Sequence, residues 1–289
     1  QRLQTVVESL QQKAVGLEHT WLCTTEDSGW RYVGASQAQP SRPPPGAPSH
    51  VEPSFAALTQ YSTGSTGFPK RVTRTHQQLL GEFDAIAQVM GISEQDRILG
   101  VAPFFHNYGL MNVLLCGTLS GATIHAMDDF FARDAARLVE AAKITGFPGV
   151  PFMHQLLADL RGAADLSSLR YVLSAGAPLS ASTADAFRAA FGISIRQLYG
   201  STETGVISIE SAAVSERAEP SVGFPIPGVA VRIVDEAGRD LPSAVEGQVA
   251  VTSRYAASRY ENAEGRGESH FTDGGFFPGD IGSLGADGR

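Results

Sequence analysis

Cysteine is nearly absent: two in 289 residues, Cys23 and Cys116, far apart and in no CxxC pattern. That excludes a disulfide framework and makes a structural zinc site a poor expectation, and it fits a reducing, cytoplasmic setting. Positive charge is also scarce. Lys and Arg number 22 against 30 Asp and Glu, a formal net charge of -8, which excludes general binding to nucleic acid or an anionic membrane face. No apolar run approaches the ~20 residues of a membrane span. The N-terminal QRLQTVVESLQQKAVG lacks the layout of a signal peptide and does not begin with Met, the expectation for an internal piece of a longer protein. What remains is ordinary for a globular chain, 43% hydrophobic and 18% charged, with length enough for one large or two modest domains.

A helical pattern covers residues 2–15, and the segment 40–48 (PSRPPPGAP) is too rich in proline for anything but an extended linker. From residue 57 strands alternate with helices. Strand-like runs fall at 57–61, 97–102, 122–127, 170–174 and 195–199, with helical stretches near 76–90, 108–119, 132–144, 151–160 and 181–190. That rhythm predicts an α/β fold, a layered, mostly parallel sheet flanked by helices. After about residue 220 two alternating strands, at 229–235 and 247–252, follow one another without a helix and predict a small β-rich subdomain. The expected division is therefore 1–56, 57–220 and 221–289, with a polar loop over 261–270.

Residues 61–76, YSTGSTGFPKRVTRTH, pose the functional question. Ser62, Thr63, Gly64, Ser65, Thr66 and Gly67 bring hydroxyls and backbone N–H groups with little bulk, and Lys70 follows. The Walker pattern G-x-x-x-x-G-K-[ST] fails, since Pro69 precedes Lys70 and Arg71 follows it, and no GxGxxG follows a strand. A loop of alternating hydroxyls and N–H groups can wrap an anion, or it can be a polar hairpin; chemistry alone leaves both open.

Residues 61–70 resemble the phosphate loop [ST]-[ST]-G-[ST]-T-G-x-P-K-G of the adenylate-forming enzymes, which include acyl- and aryl-CoA synthetases, peptide-synthetase adenylation domains and luciferases. Arg71 replaces the final Gly. Three further segments resemble family motifs in the same order: 101–110 (VAPFFHNYGL), 197–205 (QLYGSTETG) and 275–282 (GFFPGDIG), the last with Pro278 in a Thr/Ser position. The likeness covers 57–289. It implies attack of a carboxylate on the α-phosphate of ATP, giving an acyl-adenylate and pyrophosphate, followed by transfer to the thiol of CoA or the phosphopantetheine of a carrier protein. It implies that residues 62–67 and Lys70 hold the β/γ-phosphates, that Thr202 contacts the α-phosphate, and that Glu203 holds Mg²⁺. It further implies that Tyr199, with Gly200 and Ser201, lies against adenine, that Asp280 accepts from the ribose, and that Gly176, Ala177 and Pro178 flank adenine. The acid falls to His106, Asn107, Tyr108 and Gly109 with Gly176 and Gly200. The catalytic set is Lys70, Thr202 and Glu203.

Each residue alone also has an ordinary reading. Tyr199 could be a core aromatic, Glu203 a turn cap, Asp280 a Gly-Asp turn residue and His106 a packed polar residue, while Arg71 and Arg74 read as solvated strand residues. Amino-acid activators of this family carry an Asp for the substrate ammonium where this chain has Asn107, so the expected substrate is an acid without a free α-amine, aryl or fatty acyl. The rival readings are a peptide-synthetase adenylation domain and a non-catalytic module of the same fold. Family members are longer, so a mobile C-terminal domain is expected to be missing from this stretch, which alone should be weak or inactive.

Overall fold

In the computed structural model, residues 22–26, 29–33, 52–62, 70–160, 164–210, 221–260, 270–272 and 275–289 are described. The helical pattern at 2–15, the proline-rich segment at 40–48 and all of the loop 261–270 except His270 lie outside them. The chain divides into two units, residues 1–52 with 126–128, and 53–125 with 129–289. In the first, strands β1 (Leu22–Glu26) and β2 (Gly29–Val33) form an antiparallel hairpin.

In the second unit, the first long helix shows how local sequence sets an element. Thr75 and Gln78 form a capping box: the Thr75 hydroxyl accepts from Gln78 N at 3.3 Å, and the Gln78 side chain accepts from Thr75 N at 2.8 Å. Helix His76–Met90 then ends at Gly91, whose φ of 62° is the left-handed stop that glycine tolerates. Its buried residues, Glu82, Ala85, Ile86 and Met90, recur at helical spacing, and the last three pack into a core with Tyr171, Leu173, Leu198 and Val206. The one polar member of that stripe, Glu82, belongs to the site described below.

The large sheet runs β11-β10-β9-β8-β7-β5-β6. Its members are β5 (Arg97–Gly100), β6 (Thr123–Ala126), β7 (Gly146–Gly149), β8 (Tyr171–Ser174), β9 (Ile195–Ser201), β10 (Gly205–Ile209) and β11 (Phe224–Pro225). Strands β5, β7, β8 and β9 are parallel neighbours, while β10 and β11 close the edge antiparallel. Helices Ala132–Ala142, Pro151–Ala158 and Ala181–Phe191 connect them. The parallel strands are buried on both faces, as helix-covered strands must be.

Among the strands that the sequence does not predict, two are instructive. Strand β7 is GFPG, which reads as a turn; yet a Cβ on Gly146 would lie 2.2 Å from the Tyr171 ring, so only glycine fits beside it. Pro148 offers no N–H, and the ladder to β5 registers only at Ile98 with Gly146. The other, β10, follows a motif so closely that its five apolar-rich residues merge with it. The strand expected at 57–61 also differs from expectation: β3 (Ala56–Ser62) is no part of the parallel sheet but pairs antiparallel with β4 (Lys70–Thr75). The helix expected over 108–119 is three pieces, Asn107–Gly109, a π-helical turn at Leu110–Leu115, and Cys116–Ser120. A second sheet is built from β12 (Val229–Val234), β13 (Gly247–Ser253), β14 (Phe271–Thr272), β15 (Gly275–Phe276) and β16 (Ile281–Gly282).

His154 is fully buried, edge-on to Phe147 and Phe187 at 5.2 and 5.8 Å, with Nε2 3.0 Å from the carbonyl of Leu173. Burial pushes its pKa down to about 4, outweighing the bond to Leu173, which works the other way. Between pH ~6.5 and ~4 the unfolded chain takes a proton there that the folded one refuses, so this group's contribution falls with pH by ~1.4 kcal/mol per unit. Thermal melting from pH 7 to 4.5 should show this loss, and His154→Gln should flatten the profile. An unchanged slope in the variant would contradict the assignment.

Candidate active site

Because β5, β7, β8 and β9 are parallel neighbours, the segments leaving their carboxyl ends meet along one edge, where open α/β sheets place ligands. After β5 comes the segment with His106 and Asn107, after β7 Val150, after β8 Ala175 to Pro178, and after β9 the turn carrying Thr202 and Glu203.

That turn is shaped by short side chains. Ser201 Oγ accepts from Thr204 N at 3.1 Å and lies 3.0 Å from Thr204 Oγ1. Glycine is required at both ends: a Cβ on Gly200 would fall 2.5 Å from Gly205 O, and Gly205 holds φ 74° against the Glu82 carboxylate. Thr202 is half-buried and Glu203 is buried. Glu203 Oε1 accepts from the Tyr260 hydroxyl at 2.9 Å, and the Tyr260 ring lies under Lys70 Nζ, 4.7 Å from the centroid. Tyr260 thus joins the cation that starts β4 to the carboxylate after β9, and nothing in its sequence surroundings marks it. The Tyr199 hydroxyl donates to Asp280 Oδ2 at 2.5 Å, bringing together two residues 81 positions apart. Burial, and then the neighbouring carboxylate, push both phenols far above their usual range. Both remain donors at physiological pH.

Of the expected phosphate cradle, Thr63, Gly64, Ser65, Thr66 and Gly67 lie outside the described residues. Ser62 ends β3 in register with Lys70. Gly176, at φ 81°, Ala177 and Pro178 are exposed at the sheet edge. His106 is exposed and packs on Phe105, ring centroids 4.5 Å apart. The Tyr108 hydroxyl donates to Gly149 O at 3.1 Å. Gly109 admits no side chain, since a Cβ would sit 2.4 Å from Pro103 O.

One expectation is overturned. Arg74, read as a solvated strand residue, is buried, ion-paired with Glu82, and donates from Nη2 to Asn107 Oδ1 at 2.5 Å. Position 74 shares the buried face of β4 with Val72, so its charge had to be matched from the helix packed against it. Arg71 is half-buried in register with Tyr61. Among the described residues, no three His, Cys, Asp or Glu side chains group to hold a metal, and no helix is long and apolar enough to cross a membrane.

The model of the AMP-binding enzyme family matches residues 2–261. A 4-coumarate–CoA ligase of Humulus lupulus is 31% identical over 81% of this chain and 45% of its own length. A feruloyl-CoA synthase of Amycolatopsis is 32% identical over 80% of the chain and 48% of its own. Among solved structures, the O-succinylbenzoate coenzyme A synthetase of Bacillus subtilis in complex with AMP aligns with a TM-score of 0.75 and 27% identity, over 82% of this chain and 49% of that one. ATP-bound MatB of Rhodopseudomonas palustris aligns at 0.76 and 25%, over 82% and 48%. The chain spans about half the length of the curated relatives it matches. With the family model covering most of its residues, the chain belongs to the AMP-binding, adenylate-forming enzymes.

Proposed function

We propose that this chain is the nucleotide- and acid-binding core of an ATP-dependent acid–thiol ligase that activates a carboxylic acid without a free α-amine, with aryl acids the first candidates. The observation that carries the reading is the line Lys70–Tyr260–Glu203, a cation and a buried carboxylate held on one phenol, together with the Tyr199–Asp280 pair. A carboxylic acid with a pKa of ~4 is already ionised at neutral pH and needs no general base. Its oxygen bonds to the α-phosphorus as the bridge to the β-phosphate breaks and pyrophosphate leaves. The protein's task is alignment and charge neutralisation. Lys70 would oppose the β/γ-phosphates, Thr202 would donate to the α-phosphate, Tyr199 would lie against adenine and Asp280 would accept from the ribose.

The donor set fits Mg²⁺ carried on the triphosphate: such an ion takes one or two carboxylates plus phosphate oxygens, and one buried carboxylate, Glu203, stands here. When bound, the ion would offset phosphate charge. The thiol acceptor would be CoA or the phosphopantetheine of a carrier protein. Relatives named for coumarate, ferulate and O-succinylbenzoate handle acids without an amine, in keeping with Asn107, which supplies no countercharge.

The test is ATP–pyrophosphate exchange by the full-length protein across a panel of aryl, fatty and amino acids. The strongest exchange is expected with an aryl or fatty acid and Mg²⁺. An amino acid such as leucine ranking first would overturn the substrate class, and silence with every acid would point to a non-catalytic module.

A further inference from the structure

A buried chain of polar side chains links the strand that starts at Lys70 to the turn that carries Glu203, and of its members only Asn107 figures in the chemistry above. At its centre the Arg74 guanidinium is 1% exposed and the Glu82 carboxylate 0%. One arm runs from Arg74 Nη1 to Glu82, whose Oε1 accepts from Val206 N at 2.7 Å. The other runs from Arg74 Nη2 to Asn107 Oδ1 at 2.5 Å, and Asn107 Nδ2 donates to Ser201 O at 3.3 Å. The two arms end at residues 201 and 206, one on each side of Thr202 and Glu203. The fit is close, since Gly205 has no room for a methyl group beside Glu82.

Burying such a pair is a poor route to stability, because well-packed apolar residues of similar volume commonly serve as well or better. A planar guanidinium does offer something an apolar side chain cannot, two directed donors at a fixed angle. We propose that Arg74 is a positioning residue for adenylation: through Glu82 and Asn107 it fixes both ends of the turn 201–206, and so sets where Thr202 and Glu203 stand relative to Lys70 on its own strand. The proposal rests on the roles given to Thr202 and Glu203 above. It also gives Asn107 a bracing duty on both faces of its carboxamide.

The test compares the wild-type full-length protein with Arg74→Met/Glu82→Gln and with Arg74→Lys. The double variant removes both charges of the pair, and the carboxamide that replaces the Glu82 carboxylate can still accept from Val206 N, so melting near that of the wild type is expected. Its kcat for pyrophosphate exchange should fall about tenfold or more, while KM for MgATP changes less than about threefold, as suits a group displaced in the transition state but not needed for binding. Amide exchange at Thr202, Glu203 and Thr204 should quicken about tenfold with the sheet unaffected. Arg74→Lys keeps the charge but lacks the fork and should fall between the two. A folded double variant with exchange kinetics and turn amides within about twofold of the wild type overturns the proposal. If the double variant does not fold, Arg74→Lys decides by the same readouts. If the wild type is silent with every acid, the proposed function fails, and the amide rates still decide whether Arg74 holds the turn.

Discussion

Glu82→Ala is expected to destabilise the protein by about 3–5 kcal/mol, the cost of leaving a buried charge without its partner. The substitution strands the Arg74 guanidinium in a core position, where burial without a partner is costly, and removes the acceptor of Val206 N–H. It also opens a void beside Ala85, Ile86 and Val206. Chemical denaturation of the variant and the wild type measures the effect. A loss below about 1 kcal/mol would mean that water or a neighbouring side chain replaces the carboxylate, and the buried pair would then be incidental. By contrast, an exposed pair such as Arg137 with Asp134 should contribute almost nothing when broken, since solvent already screens both groups.

Glu203→Ala should lower pyrophosphate exchange about 10²–10³-fold with folding intact, the range seen when one pre-set charge-stabilising group is removed. The carboxylate is oriented in advance by the Tyr260 hydroxyl and by the backbone bond from Ala257 N to Glu203 O at 2.8 Å. Loss of the side chain would therefore remove the proposed Mg²⁺ ligand without dismantling the turn, whose Ser201–Thr204 bonds remain. Tyr260→Phe separates the two duties of that phenol. It keeps a ring beneath Lys70 and frees Glu203 from its donor, so a smaller loss is expected than for Glu203→Ala. Steady-state exchange against MgATP, with far-UV circular dichroism as the folding control, reads both. Full activity in Glu203→Ala would remove Glu203 from the catalytic set.

Much of the scaffold is legible in the sequence. Helix His76–Met90 announces itself by a Thr-x-x-Gln cap, an apolar stripe and a terminal glycine, all local signals. The chain's glycines at 109, 200 and 205 stand inside the motifs; close backbone approach explains the first two, and a left-handed φ against the Glu82 carboxylate explains Gly205. The strand GFPG was hidden because its fitness lies in a neighbour: Gly146 is there for the Tyr171 ring, contributed by another strand.

Local sequence by itself determined the residue types of the four motifs, the alternation of strands and helices, and a charge balance that argues against a nucleic-acid partner. Tertiary structure alone decided the partners. Tyr260 looked like any tyrosine near a polar loop until β4 brought Lys70 over its ring and β9 brought Glu203 to its hydroxyl. Arg74 looked like a solvated cation, because a charge on a hairpin strand ordinarily faces water. Its burial depends on Glu82 from the following helix and Asn107 from the segment after β5, acceptors 8 and 33 residues away. The physical reason is the same in both cases: a polar side chain's environment is set by which acceptors the fold places within about 3 Å, and composition cannot report that.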